Sequence, residues 1–276
     1  MSRERVVRPG GTRTSTAVVA ITLAVVLVPL AYLVSVSLMG RDEVTSGVLV
    51  PASPAWSNWA DVVTGTELLR GVGNSLFAAA VGAALTLAFA LPAAWAIVRY
   101  RTGGATLGGT LMSPWLLPPI VAVVPLFTLL RILELNNTLI GLTLVYALVN
   151  LPVAIWLLEG FLRKLPAELD EAARMDGAGP VRVLLSIIAP VVSPALVSIG
   201  IIVAILNYNE FLLATFLTQS DDAQTLPVVL SMFYGERTPH YGKIAAASLV
   251  GIVPVFAAAV LFQRRLVGGL AAGSVK

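Results

Sequence analysis

The densest cluster of charge in the chain is the segment Glu159 to Arg182, EGFLRKLPAELDEAARMDGAGPVR, and its residue types suit recognition rather than covalent chemistry. Pro166 fits a first helical position, Glu168, Asp170 and Glu171 place acid near the positive end of a short helix, and Gly177 supplies a left-handed stop. Leu165, Leu169, Ala172 and Ala173 fall near one face at three-to-four spacing, so the helix is expected to dock that face on a neighbour. A second polar cluster, Asn207, Tyr208, Asn209 and Glu210, borders an apolar run and offers hydrogen-bonding groups of the kind that hold sugars. Phe211 to Leu217 beyond Glu210 is again apolar, which sets this ionisable residue within the membrane and makes it a functional candidate. The sequence has one histidine, His240, and no cysteine, which excludes disulfides and thiolate metal sites and makes a nucleophile–base or metal constellation hard to build. No phosphate-binding loop occurs: Gly242-Lys243 is followed by Ile244 and lacks the upstream glycine spacing.

The elements that position these residues are apolar and long. Of the 276 residues 57% are hydrophobic and 12% charged, about half the charge of a soluble domain, so much of the surface must face lipid. Charge-free runs lie between Arg13 and Arg41, Arg70 and Arg99, Arg101 and Arg131, Glu134 and Glu159, Arg182 and Glu210, and Lys243 and Arg264. Each meets the roughly 20 residues needed to cross a bilayer. The expectation is an all-α integral membrane protein, a single transmembrane domain over residues 1–276. Its spans are set at about 15–39, 72–98, 105–130, 137–158, 192–217 and 244–263, with a cytoplasmic loop at 159–182. The first run has a basic flank but no small-residue cleavage site, and reads as a retained helix.

Most of the 18 basic residues fall in alternate segments: Arg3, Arg5, Arg8 and Arg13; Arg99 and Arg101; Arg163, Lys164, Arg174 and Arg182; Arg264, Arg265 and Lys276. Basic short loops stay in the cytoplasm, so both termini are expected there. The net charge of +3 is thus a topology signal, and no nucleic-acid partner is expected. Glycine- and alanine-rich sequence in the second span favours close helix packing. Pro114, Pro118, Pro119 and Pro125 crowd the third, and Pro92, Pro152, Pro190, Pro194 and Pro254 predict further breaks. Mid-span charges are absent, which disfavours an ion-coupled secondary transporter and leaves the energy source to another chain.

The loop's spacing carries a resemblance. Glu171-Ala172-Ala173, then Gly177, Ile187 and Pro190 resemble the EAA loop of bacterial ABC importer permeases, with Ala189 where leucine is usual. Further segments are similar to the shorter permease type of maltose-type carbohydrate importers: Asn74-Ser75-Leu76, Arg99-Tyr100-Arg101, Asn209-Glu210-Phe211-Leu212, Thr225-Leu226-Pro227, and the tail from Gly269-Leu270 to Ala272-Gly273-Ser274-Val275-Lys276. The resemblance implies a type I importer permease of six helices in a bacterial inner membrane. Its partners would be a second homologous permease, two ATPase subunits that bind ATP and Mg, an extracytoplasmic sugar-binding protein, membrane lipid and a sugar substrate. This chain would be non-catalytic and hold no cofactor or metal. Glu171, Ala172, Ala173, Asp176 and Gly177 would contact the ATPase through a coupling helix, Gly273 to Lys276 would be a second contact, and Asn207, Asn209 and Glu210 would be substrate-path candidates. A related permease for glycerol phosphate, polyamine or amino acid is the alternative, although phosphate cargo would favour basic residues in the path.

Overall fold

The computed structural model describes residues 12–64, 67–103, 110, 113, 118–234 and 239–274, and among them all regular structure is helical. In chain order the helices are α1 (Thr12–Ser37), α2 (Arg41–Thr45), α3 (Ser57–Thr64), α4 (Leu68–Tyr100), α5 (Ile120–Ile132), α6 (Leu139–Leu162), α7 (Glu168–Met175), α8 (Pro180–Val191), α9 (Ser193–Tyr208), α10 (Leu212–Leu217), α11 (Leu226–Tyr234) and α12 (Tyr241–Ser274). Among the described residues four stretches are long and apolar enough to cross a membrane: Ser15–Ser37, Leu68–Tyr100, Leu139–Leu162 and Tyr241–Gln263. A fifth results if α8 and α9, bent by 80° against each other, count as one broken span. Much of the expected third span lies outside the described residues. Its described part is α5, whose 13 residues reach about 20 Å, short of a bilayer core of about 30 Å.

The chain divides into two compact units, residues 1–65 with 233–250 and residues 66–232 with 251–276. In the first, every residue of α1 from Ser15 to Tyr32 is exposed, as a lipid-facing apolar helix should be. Only its end is packed, where Val36 and Met39 join Ala245 of α12 in a small buried cluster. Asn58 of α3 fastens that end by donating from Nδ2 to the carbonyls of Ser37 (3.0 Å) and Met39 (2.9 Å).

The second unit is built around α4, which packs against both α6 and α9. Its buried face is a stripe of small residues, Ser75, Ala78, Ala79, Gly82, Ala83, Thr86, Ala90 and Ala94. With no hydrophobic gain between helices in lipid, such a stripe permits the close approach that lets dispersion and interhelical hydrogen bonds hold them. Thr86 Oγ1 donates to the carbonyl of its own Gly82 (2.8 Å) and lies 3.2 Å from that of Ala147 on α6.

The expected proline breaks are found at some positions and not at others. Helices α4, α6 and α12 run through Pro92, Pro152 and Pro254 without interruption. Proline is tolerated inside membrane helices because neighbours and local adjustment satisfy the freed carbonyl. The sharp bend sits between Pro190 and Pro194, two of the expected sites, just after a π-helical turn at Leu184–Ile188. The stretch expected as one span over 192–217 is interrupted: α9 ends at Tyr208, and α10 restarts at Leu212.

Candidate functional site

The charged loop folds as two short helices, α7 and the start of α8, joined by a turn at Gly177. Gly177 has φ +81°, the left-handed conformation expected from its glycine. Helix α7 begins at Glu168 behind Ala167, whose carbonyl accepts from the backbone of Asp170 and Glu171, so Pro166 lies in the preceding turn and not in the helix.

The face that α7 buries differs from the expected one. Ala173 joins a core cluster with Trp95, Leu158 and Leu162, and Leu165 packs against it, but Leu169 and Ala172 are exposed. The other buried residue of α7 is Asp170, only 3% exposed. Its Oδ1 accepts from Trp95 Nε1 at 2.8 Å, and its Oδ2 forms an ion pair with Arg99 Nε at 2.6 Å. Arg99 also donates from NH2 to the carbonyls of Leu165 (3.1 Å) and Pro166 (3.2 Å), which precede α7 and have no helical partner there. At the outer edge Arg174 donates to the Tyr100 hydroxyl (2.9 Å) and stands 5.2 Å from its ring, while Tyr100 meets Trp95 edge-on at 5.3 Å. The last turn and a half of α4, residues 95–100, thus makes the polar contacts that hold α7, and Leu158 and Leu162 of α6 share in its apolar seat.

This seat sorts the predicted residues. Glu171, Ala172, Asp176 and Gly177 lie on the open side with Met175, 88% exposed, and Val181. Ala173 lies on the buried side. The open face mixes acid, small and apolar groups, the makings of a protein-docking surface with a basic and apolar complement.

The second cluster separates its members. Asn207 is buried, 1% exposed, and accepts at Oδ1 from Asn150 Nδ2 of α6 at 2.7 Å. Its Nδ2 points to Gly82 of α4, where a Cβ would come within 2.8 Å of it. Asn209 is exposed and donates only to the carbonyl of Ile205, one turn back in its own segment. Glu210 stands in the break between α9 and α10 and satisfies the start of α10, accepting from the backbone of Leu213 (Oε1, 2.8 Å) and Ala214 (Oε2, 3.0 Å). It also accepts from the hydroxyl of Tyr146, a buried residue of α6, at 3.1 Å. A carboxyl group at a helix start that accepts from two backbone N–H groups of the first turn acts as its cap.

A third group joins two motifs far apart in sequence. Ser75 Oγ accepts from the backbone of Leu226 at 2.8 Å, and Asn74 Nδ2 donates to the carbonyls of Gln224 (2.9 Å) and Asp222 (3.1 Å). Asn137 accepts at Oδ1 from the backbone of Gln219 and Ser220 (2.7 and 2.9 Å). Segment 219–226 is therefore pinned from α4 and from the turn before α6. Asp222 remains exposed and pairs with Arg70 at 3.0 Å. Glu236, Arg237, Val275 and Lys276 lie outside the described residues. Sequence reasoning missed the roles of Trp95, Tyr146 and Asn150, and gave Asp170 only as an acid at a helix start. The signal present was an acid in a helix first turn together with an arginine at the end of an apolar run, and neither names its partner.

Comparison with known proteins places these features in context. The family model described as "Binding-protein-dependent transport system inner membrane component" matches residues 87–268, which include α7, Asn207 and Glu210. The trehalose transport system permease protein SugB of Mycobacterium tuberculosis is 34% identical over 253 residues, covering 91% of this chain and 92% of that protein. The trehalose/maltose transport system permease protein MalG of Thermococcus litoralis is 31% identical over 262 residues, covering 93% and 94%. Among solved structures, a bacterial ABC transporter involved in the import of the acidic polysaccharide alginate contains a chain that superposes with a TM-score of 0.76 at 22% identity, covering 96% of this chain and 99% of that one, a likeness of fold.

Proposed function

The chain belongs to the family of binding-protein-dependent transport system inner membrane components, a multi-pass membrane protein, and from that premise we propose that it is the permease subunit of an ATP-driven sugar importer. It supplies half of a translocation path, pairs with a second permease, and couples through the loop 159–182 to ATPase subunits that bind ATP and Mg. A sugar-binding protein delivers the cargo from the other side. Six spans and cytoplasmic termini complete the reading, supported by the basic residues flanking the apolar runs.

One observation carries the coupling role. Helix α7 is too short to stand alone, yet it is fixed by its buried face and presents Glu171, Ala172, Met175, Asp176 and Gly177 outward. A helix pinned on one side and open on the other is suited to seat in a partner's cleft. Helix α4 carries it at the right depth: its 33 residues span about 50 Å, more than a bilayer core of about 30 Å, so one end stands clear of the hydrocarbon. Sugar as cargo is supported by the relatives named for trehalose and maltose transport.

The test is the ATPase activity of the complex purified through this chain and reconstituted with its binding protein, with a panel of sugars, comparing wild type and Gly177→Asp. Co-purifying ATPase, stimulation by one sugar, and loss of that stimulation in the variant are expected. Absence of an ATPase, or turnover indifferent to sugar and loop, overturns the reading.

A further inference from the structure

We propose that Asp170, Arg99 and Trp95 form a positioning lock that makes α7 and α4 move as one body, so that displacement of the loop by its partner is delivered undiminished to the membrane helices. The proposal rests on the importer reading for its consequence, but its geometry stands on contacts within one unit of the fold.

The buried carboxylate accepts one hydrogen bond at Oδ1, from Trp95 Nε1 at 2.8 Å, and its Oδ2 stands 2.6 Å from Arg99 Nε as an ion-pair contact without hydrogen-bond alignment. The ion pair is nearly closed to solvent, the side chains being 10% and 4% exposed. Such a pair is a poor way to gain stability, since desolvating two charges cancels most of their attraction and apolar residues of similar volume commonly serve as well or better. Apolar seating is already present in Ala173 and Leu165. What the polar contacts add is direction. The directional bonds, from Trp95 Nε1 to Asp170 and from Arg99 to the Leu165 and Pro166 carbonyls, set the rotation and axial position of α7, which apolar contact alone leaves free to slide, and the ion pair keeps Arg99 beside them.

Arg99 reaches further, tying the Leu165 and Pro166 carbonyls, while Arg174 on Tyr100 ties the far end of α7. The loop is therefore held at its entry, middle and exit by residues 95–100. Those residues continue without interruption into the small-residue face that packs on α6 and α9. A rigid element seated on packed neighbours is the physical means by which a push at one end reaches the other.

The decisive variant is the apolar replacement Asp170→Leu with Arg99→Met, examined in the full chain with its accompanying subunits. If the pair positions, the ATPase still co-purifies but sugar moved per ATP hydrolysed falls by about tenfold, within the range of coupling between sites. A Phe89→Cys, Met175→Cys pair, selective because the native chain has no cysteine, reports the mechanical half: spin-label distances between α4 and α7 broaden in the double variant. Unchanged coupling with an unchanged distance distribution shows the pair to be a replaceable packing contact and overturns the proposal. Should the double variant fail to assemble, Trp95→Phe removes one donor while keeping an aromatic ring: graded loss of coupling and a broader distribution support the lock, and wild-type values for both refute it. If no ATPase accompanies the wild-type chain, the importer reading fails by itself, and the distance measurement still decides whether the two helices are locked.

Discussion

Replacing Glu210 with alanine removes the acceptor of three hydrogen bonds at once, from the backbone of Leu213 and Ala214 and from the Tyr146 hydroxyl. Tyr146 is 1% exposed and Leu213 and Ala214 are buried, so water replaces the carboxylate poorly. Hydrogen bonds within membranes are worth about 0.6 kcal/mol on average and about 1.7 at most, so three of them bound the loss at roughly 2–5 kcal/mol. Glu210→Gln keeps one carbonyl acceptor and most of the volume, so it should lose less than half of that. Reversible unfolding of the purified chain in mixed micelles measures both variants, and sugar selectivity of the reconstituted complex is read in parallel. The expected result is a stability loss ordered Ala greater than Gln with the sugar preference retained. If Glu210→Ala costs under about 1 kcal/mol while sugar preference changes, the carboxylate serves the cargo and the structural assignment is refuted.

Gly82→Val should drive α4 from α9, because even a Cβ would come within 2.8 Å of Asn207 Nδ2; overpacking of this kind costs about 1–3 kcal/mol, and thermal denaturation in detergent would show it. Asn207→Leu, which leaves Asn150 Nδ2 without its 2.7 Å partner, should destabilise by about 1–3 kcal/mol in the same assay, and Asn150→Leu with Asn207→Leu should recover part of that loss. In the other unit Asn58→Leu strands the Ser37 and Met39 carbonyls, so proteolysis or hydrogen exchange should report faster opening around residues 37–40 with little change elsewhere. Asn209→Ala, an exposed residue bonded only within its own segment, should leave stability within about 0.5 kcal/mol, and a change in sugar affinity there would mark it as a path residue.

Much of this protein is written locally. Composition and the spacing of charges announce a lipid-facing chain, because a bilayer demands long apolar runs whatever their neighbours. The turn at Gly177 follows from one residue's freedom at positive φ, and the small-residue face of α4 follows from side-chain size alone. Partners are another matter. Asp170 reads from sequence as an acid favouring a helix start, whereas the fold turns it inward to Trp95, 75 residues away. Leu226 meets Ser75 across 151 residues. Apolar composition over 192–217 conceals the break at 209–211, since a span interrupted by a capping carboxylate and an unbroken one have nearly the same hydropathy. The sequence alone determined that this chain crosses a membrane, where its charged loop lies and how that loop turns. Only the packing of α4 against its neighbours decided which face of α7 is buried, because a buried charge needs its counter-charge in space and not in sequence.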